Sequence, residues 1–517
     1  MYTGAYVQSG MFDAGLAEGR QGSLCGAEVG KMIHKPVINT FDEAVEYINS
    51  TPRFTKKSTM EQTKAFLHLL GDPDRSLRII HVAGTNGKGS VCAYMSGILR
   101  AAGFKVALFT SPHLVDIRER FTVDGEMISR ERFLGAFRYI LDLVFLSEKS
   151  VQEVPEQTGQ AQEVPEQPGL KTGPLEQPAG GGFYHPTYFE FLFFIAMLYF
   201  GQEKPDYCIL ETGLGGRLDA TNSVSQKELA VVTRIGLDHV EYLGDTLEKI
   251  AGEKAGIMRE GAPAVYWDTC PETTAVFEKR AAELGISAVS VSKNDVSFLK
   301  FNRKNIDFSF RSSYYNNVSL TLNTIAAYQT ENAALAVRAA ELLDAGAVNG
   351  GKGITVENIK KGISGCFWAG RMEEVLPGVF VDGAHNEDGI RAFLETVAMD
   401  GHEGARTLLF AVVRDKDYES MVEEVVQSGL FHKIVITGMS TGRDAGPEVL
   451  GPLFGRYPGS CPEGYESVAA AVEGLLRDRG AGERIYAAGS LYLVGEIKEF
   501  IEHDKFRGRI KEISSQP

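Results

Sequence analysis

No apolar run in this 517-residue chain is long enough to cross a bilayer. The longest, residues 191–200, is about half of what a transmembrane helix needs and reads as a buried helix. The N-terminus lacks the continuous apolar segment of a secretory leader, so no signal peptide is expected. Cysteine is scarce: Cys25, Cys92, Cys208, Cys270, Cys366 and Cys461 are widely scattered and form no Cys-x-x-Cys pair. That spread argues against a disulfide framework and for free thiols, several of them buried, in a reducing cytoplasmic setting. An excess of positive charge is missing too. Lys plus Arg number 53 against 68 Asp plus Glu, a net charge of −15, which disfavours nonspecific binding to nucleic acid or anionic lipid. Anionic substrates must therefore be drawn in by local features. What the chain does have is 44% hydrophobic residues and enough length for two cored domains with insertions.

The most informative stretch is residues 77–90, Leu-Arg-Ile-Ile-His-Val-Ala-Gly-Thr-Asn-Gly-Lys-Gly-Ser. An apolar, β-branched run predicts a buried strand, three glycines a loop, and the helical spacing of Val91, Met95, Ile98 and Leu99 a helix ending at Gly103. Strand, glycine-rich loop and helix make a phosphate cradle, because backbone N–H groups can turn inward beside the positive end of the helix. In such a cradle Lys88 reaches the β/γ-phosphates and the Ser90 hydroxyl ligates Mg²⁺. The spacing departs from the general P-loop pattern. Only two residues separate Gly84 from Gly87, and Gly89 stands between Lys88 and Ser90.

Residues 1–35 show no steady period and are expected to be a disordered tail. Helices are predicted at 41–48 and 60–70, strands at 106–109 and 207–210, and a turn at Asp124-Gly125. Residues 147–182 carry Gln-Glu-Val-Pro-Glu-Gln twice, at 152–157 and 162–167, followed by a triple glycine. Such a composition cannot bury enough apolar surface to offset ordering entropy, so a disordered insertion between two helices is expected. A strand at 229–235 and a helix at 247–257 follow. Residues 294–323 alternate apolar and polar, predicting antiparallel hairpins, and 329–343 form an Ala-rich helix. From about 372 strands at 379–381, 408–413, 433–437 and 484–488 alternate with helices, a second α/β unit.

Three predicted strands end in polar clusters, at Ser90, Glu211 and His239. Ligands bind at the carboxyl ends of strands in open parallel sheets. Phosphoryl transfer needs a hydroxyl and an acid on the metal, and Ser90 and Glu211 supply them. Glu211 could instead cap the following turn. Ser111 is a second hydroxyl candidate or a turn residue before Pro112, and the residues leave that open. His239 is equally a ligand or a structural histidine. Lys254, from its residues alone, reads as a solvated helix lysine.

These blocks together resemble one family. Residues 82–90, Thr-Ser-Pro-His-Leu at 110–114, Leu-Glu-Thr-Gly-Leu-Gly-Gly-Arg-Leu-Asp-Ala-Thr-Asn at 210–222 and Asp-Gly-Ala-His-Asn at 382–386 occur in the order of the bifunctional folylpolyglutamate synthase/dihydrofolate synthase enzymes of the Mur ligase superfamily. The resemblance spans about residues 41–501 and accounts for the shortened phosphate loop. It implies an α/β fold: a P-loop ATPase domain with a mostly parallel sheet at 36–370, interrupted by the 147–182 insertion, and a smaller Rossmann-like domain at 371–517. It implies ATP-dependent ligation of L-glutamate to a pterin carboxylate through an acyl phosphate, with dihydropteroate and reduced folates as acceptors. ATP contacts would come from Gly84, Thr85, Asn86, Gly87, Lys88, Gly89, Ser90, Asn332, Arg371 and Asp382. One Mg²⁺ would sit on Ser90, Ser111 and Glu211, and a second on Glu211 and His239. Lys254 would be a carboxylated lysine, acting with Lys88 and His239. The pterin would meet Arg53, Phe54, His113, Leu114, Arg120 and Phe121; glutamate would meet His385 and Ser490. Small molecules are the only partners expected, and the protein is expected to be a monomer. Residues 53–57 depart from the family's usual pattern after Arg53-Phe54. Two alternatives stand beside this reading: a cell-wall Mur ligase, which the 110–114 and 214–219 blocks oppose, and a catalytically inactive nucleotide-binding homologue.

Overall fold

The computed structural model describes residues 35–51, 58–152, 184–302, 304–312, 316–345 and 353–502. Residues 1–34 of the predicted 1–35 tail, most of the low-complexity segment, and Arg53 and Phe54 lie outside them.

The first sheet has eight strands: β1 (Ile79–Ala83), β2 (Val106–Phe109), β3 (Phe121–Val123), β4 (Glu126–Met127), β5 (Tyr207–Glu211), β6 (Leu229–Val232), β7 (Ala264–Trp267) and β8 (Ala288–Val291). Their order is β4-β3-β2-β5-β1-β6-β7-β8, parallel from β2 to β8 and antiparallel at the β3 and β4 edge. β1 is buried along its whole length between β5 and β6, which explains its mostly apolar sequence, broken only by His81. Its alternate residues face opposite layers. Ile80 and Val82 pack with Val91, Met95 and Ile98 of the phosphate-loop helix (Lys88–Ala101). Ile79 faces a layer dominated by Phe191, Phe193 and Phe194 of the helix Tyr188–Glu203. That helix is apolar all round because it is covered all round.

The predicted hairpins form a separate antiparallel sheet of β9 (Val296–Phe301), β10 (Ile306–Ser312) and β11 (Asn316–Leu322). The third sheet holds β12 (Glu373–Leu376), β13 (Val379–Val381), β14 (Arg406–Phe410), β15 (Lys433–Thr437), β16 (Glu463–Tyr465) and β17 (Arg484–Ala488). Its order is β12-β13-β17-β14-β15-β16, parallel except for β12.

Several predicted boundaries shift. The helix Arg130–Gln152 runs into the segment predicted to be disordered from 147, because polar residues such as Glu148 and Lys149 are good helix formers and the proline signal begins only at Pro155. β6 stops at Val232 because Thr233 turns to donate to the Asn86 carbonyl (2.7 Å). The helix at 247 ends at Ala255, with Gly256 as its cap. β14 begins at Arg406 and ends at Phe410, short of Val413, which instead bridges to Asp444.

The phosphate-loop helix and the helix Val356–Ser364 touch at two glycines. A β-carbon on Gly362 would lie 2.4 Å from the Ile98 nitrogen, and one on Gly97 would lie 2.6 Å from the Gly362 oxygen. Backbone cannot yield as a side-chain tip can. Gly362→Ala is therefore expected to destabilise the fold by about 1–3 kcal/mol, the usual cost of overpacking. A lowered urea midpoint with an unchanged slope is the expected result, and an unchanged midpoint would contradict this contact.

Candidate active site

The loop after β1 is shaped by what lies against it. Gly84 has φ +153°, and a β-carbon there would meet Thr233 Oγ1 at 1.8 Å. Gly87 has φ +90°, and a β-carbon there would meet Asn332 Oδ1 at 2.2 Å. No side chain fits at either place. Thr85 fastens the loop to β6's extension: its hydroxyl donates to the Gly236 carbonyl (3.0 Å) and its N–H to that of Arg234 (2.9 Å).

Lys88, at the first position of its helix, donates to the carbonyls of Gly84 (3.2 Å) and Thr85 (3.1 Å). Lys254 is buried and donates to the same Gly84 oxygen at 2.7 Å. Burial, and then the Lys88 charge, bring the Lys254 pKa down to about 7. It is no solvated helix lysine. Ser90 is buried and accepts from Gln329 Nε2 at 3.0 Å, and Asn332 Nδ2 donates to Gln329 Oε1 at 2.9 Å.

Glu211 ends β5 in register with Val82, on the strand next to the loop. It is buried and accepts from the Ser111 N–H at 2.9 Å. Burial raises its pKa, against the charges of Lys88, Arg371 and Arg120. The loop beyond it is anchored by Asp219, which accepts from the N–H groups of Leu214 (2.8 Å) and Thr221 (3.0 Å). The Thr221 hydroxyl in turn meets His81 Nε2 of β1 at 2.8 Å.

The carboxyl edges of the first and third sheets meet here. Asp238, after β6, holds Lys416, after β14, in an ion pair with both side chains about nine-tenths buried. Lys416 Nζ is also 3.2 Å from His239 Nε2. Burial brings the His239 pKa down to about 4, with Lys416 adding to the effect and Asp238 opposing it. His385 likewise sits at about 4, mainly through burial, and its Nδ1 is 2.7 Å from the Gly383 carbonyl. Asn86 and Asn386 exchange side-chain amide hydrogen bonds at 3.1 Å. Asp382, after β13, is buried and accepts from the Met372 and Ala384 N–H groups (2.9 Å each) and from the Tyr328 hydroxyl. Between the two edges lies a cleft of about 390 Å³. Its wall includes Asn86, Gly87, Ser90, Asn332, Arg371, Asp382 and His385, with Arg234, Tyr328, Glu331 and Phe298.

Other residues expected to meet substrate are not on the wall of this cleft. Phe121 is fully buried against Phe109 and Phe133, so its ring is core and presents no face to a ligand. Leu114 packs on the third sheet, close to Gly370 and Gly495. Ser490 is buried and accepts from the Tyr492 N–H at 3.1 Å, capping the helix Leu491–Glu502. Arg120 and His113 do meet, Nε to Nδ1 at 2.8 Å. Among the described residues no group of three or more His, Cys, Asp or Glu side chains could hold a metal ion. No helix among them is long and apolar enough to cross a membrane.

A chain from Bacillus subtilis, named dihydrofolate synthase/folylpolyglutamate synthase, is 31% identical over 470 residues, covering 90% of this chain and 99% of its own. The present chain belongs to that family. The Mur ligase middle domain model matches residues 184–340, and the chain is an ATP-dependent ligase of the Mur ligase superfamily. Among solved structures, Mycobacterium tuberculosis folylpolyglutamate synthase complexed with ADP is similar at TM-score 0.76 and 26% identity, covering 90% of this chain and 98% of that one. E. coli FolC in complex with DHPP and ADP is similar at TM-score 0.73 and 26% identity, with 90% and 99% covered. The α/β, mostly parallel, Mur-ligase-like fold expected from the motifs is thus the fold observed.

Sequence reasoning missed Lys416, Asp238, Gln329 and Tyr328. Gln329 stands three residues before Asn332, on the same helical face, and could have been found by that spacing. Lys416 carries no local signal, since its partner is 178 residues distant.

Two pH effects follow. Lys254 titrates at about 7 when folded and near 10.5 when free, so the unfolded state binds more protons between those values. Lys254 therefore makes stability rise with pH from about 7 to 10.5, and Lys254→Met is expected to remove that part of the slope in urea titrations compared with wild type. Removing the Lys416 charge leaves Asp238 beside His239. In Lys416→Met the His239 pKa is expected to move up from about 4, read by NMR of ¹⁵N-labelled histidine. No upward movement would contradict the Lys416 contact.

Proposed function

We propose that this chain ligates L-glutamate to the carboxylate of both dihydropteroate and reduced folates, with ATP as co-substrate. The observation that carries it is the Gly84 peptide oxygen, held by Lys88 and Lys254 beside a buried Glu211 on the adjacent strand. A nucleotide-only module has no need of a second, buried lysine under its phosphate loop. The relatives bear names of both activities, and similar structures are complexes with ADP, with an ATP analogue and folate, and with DHPP.

In this reading residues 84–90 receive the phosphates, and Asn332, Arg371 and Asp382 take the rest of the nucleotide in the cleft. The γ-phosphoryl group passes to a pterin carboxylate oxygen as the bond to ADP breaks. The glutamate amine then attacks the acyl carbon, loses a proton, and displaces phosphate. Lys88 lies where it neutralises charge on the transferring group. Hydroxyl and carboxylate oxygens suit Mg²⁺. Glu211 fits such an ion, because burial outweighs the nearby cations and leaves its carboxylate short of counter-charge. Ser90, Ser111 and Glu211 would hold it, and when bound it withdraws charge from the phosphates. At a second ion, with Glu211 and His239, the His239 Nε2 lone pair is engaged by Lys416 and serves only once that ammonium moves. Lys254, with an amine half neutral near pH 7, is suited to carboxylation by CO₂. The 36–370 part would bind nucleotide, and the 371–517 part, with His385 and Ser490, would receive glutamate. His113 and Arg120, with Arg53, would face the pterin.

The test supplies dihydropteroate and a reduced folate side by side with ATP, Mg²⁺ and labelled glutamate. ADP release and a glutamylated product are expected with both. Release with neither acceptor would sink the proposal, and release with one alone would narrow it to a single activity. Lys254→Ala is expected to abolish turnover and keep ATP binding.

A further inference from the structure

Gly89, the residue that makes the phosphate loop unusual, is not explained by phosphate binding alone. A β-carbon there would lie 2.8 Å from Trp368 Cζ2 and 3.2 Å from its Nε1. The indole thus sits on the first turn of the phosphate-loop helix, beside Lys88 and Ser90. Trp368 belongs to the connector between the helix Val356–Ser364 and β12, the passage from the first sheet's layers to the third sheet. The connector is gripped at both ends. At its start Gly362 is in backbone contact with Gly97 and Ile98 of the phosphate-loop helix. At its finish the Gly370 carbonyl accepts from the Gly383 N–H (2.8 Å) and from Arg371 Nη1 (2.9 Å). Arg371 lies against the Asp382-Gly383 turn, its Nη1 2.0 Å from where a Gly383 β-carbon would stand, and it lines the cleft. Only two residues separate Trp368 from Arg371, too short a span for one to move without the other.

We propose that Trp368 is a positioning residue for the nucleotide: seated on Gly89, it sets the path of the connector and so places Arg371 in the cleft. This rests on the reading that the cleft takes ATP. Gly89 is then glycine so that the ring can approach, and the distance between phosphate loop and Arg371 is fixed by an aromatic contact. Displacing a substrate-positioning group by about 1 Å can cost as much as 10²-fold in rate.

The experiment measures ATP binding by calorimetry and steady-state kinetics in wild type, Trp368→Phe, Trp368→Ala, Gly89→Ala, Arg371→Ala and the doubles G89A/W368A and W368A/R371A, each checked by its unfolding midpoint. Trp368→Ala is expected to raise the KM for ATP about tenfold or more with the KM for glutamate unchanged. Trp368→Phe, which keeps a ring over Gly89, should stay within about threefold of wild type. Gly89→Ala should cost less in the Trp368→Ala background than in wild type, and Trp368→Ala less in the Arg371→Ala background than in wild type. The chain has two tryptophans, and Trp267 is buried in β7, so an emission change on ATP binding should vanish in Trp368→Phe. An unchanged ATP KM in Trp368→Ala, or full additivity in both doubles, would overturn the proposal while leaving ATP binding intact. Wild type that does not bind ATP at all would sink the nucleotide reading itself, and this proposal with it.

Discussion

Two lysine side chains share one peptide oxygen at the mouth of this protein's phosphate loop. Lys88 reaches the Gly84 carbonyl from the helix that follows, and Lys254 reaches it from a helix 170 residues on. Ammonium groups repel each other, and burial away from water makes that repulsion costly. The loop is held in this shape because Gly84 has no side chain to meet Thr233 and a φ of +153°. The lowered pKa of Lys254 is the visible consequence, relieved only when the amine loses its proton or finds an anion. Much of the surrounding geometry serves this point. β1 must end between β5 and β6, so that Glu211 comes from one side and the 233–239 segment from the other.

The second constraint is that the site belongs to two sheets whose carboxyl edges face each other. A parallel sheet exposes loops at that edge, and two such edges in opposition make a cleft without any dedicated lid. The contacts across it are polar and specific. Lys416 pairs with Asp238, and Asn86 pairs with Asn386. Each joins a loop of the first sheet to a loop of the third. A buried ion pair is weak evidence of stability, because desolvation cancels much of the attraction. Its value here is register. It holds His239 and His385, both kept neutral at pH 7 by burial, against the same carboxylate.

What was legible in the residues follows the range of the physics. The strand–loop–helix around Gly84, the strand ending in Glu211, and the three-stranded antiparallel sheet all rest on local periodicity, and local periodicity survives folding. Boundaries moved where a tertiary hydrogen bond decided them, as at Thr233. Lys254 was misread from its residues because nothing local tells a solvated helix lysine from one aimed at a carbonyl 170 residues away; the family resemblance pointed the other way. Phe121 shows the opposite failure. The resemblance assigned it to a ligand, while its place on β3 buries it between Phe109 and Phe133. Neighbouring Arg120 ends the turn before β3 and reaches His113 instead.

The irregular spacing of the loop changes what a motif match means. A motif scan treats Gly89 as an insertion between the lysine and the serine. In three dimensions it is where an aromatic ring from residue 368 rests on the loop's helix. The glycine's reason is therefore a contact 279 positions away, not the ligand beside it. In this chain something large and flat lies on the extra glycine, which would otherwise only weaken the helix's first turn. A departure from a general pattern can thus record a second packing partner, and here that partner stands at the junction of the two sheets the cleft depends on.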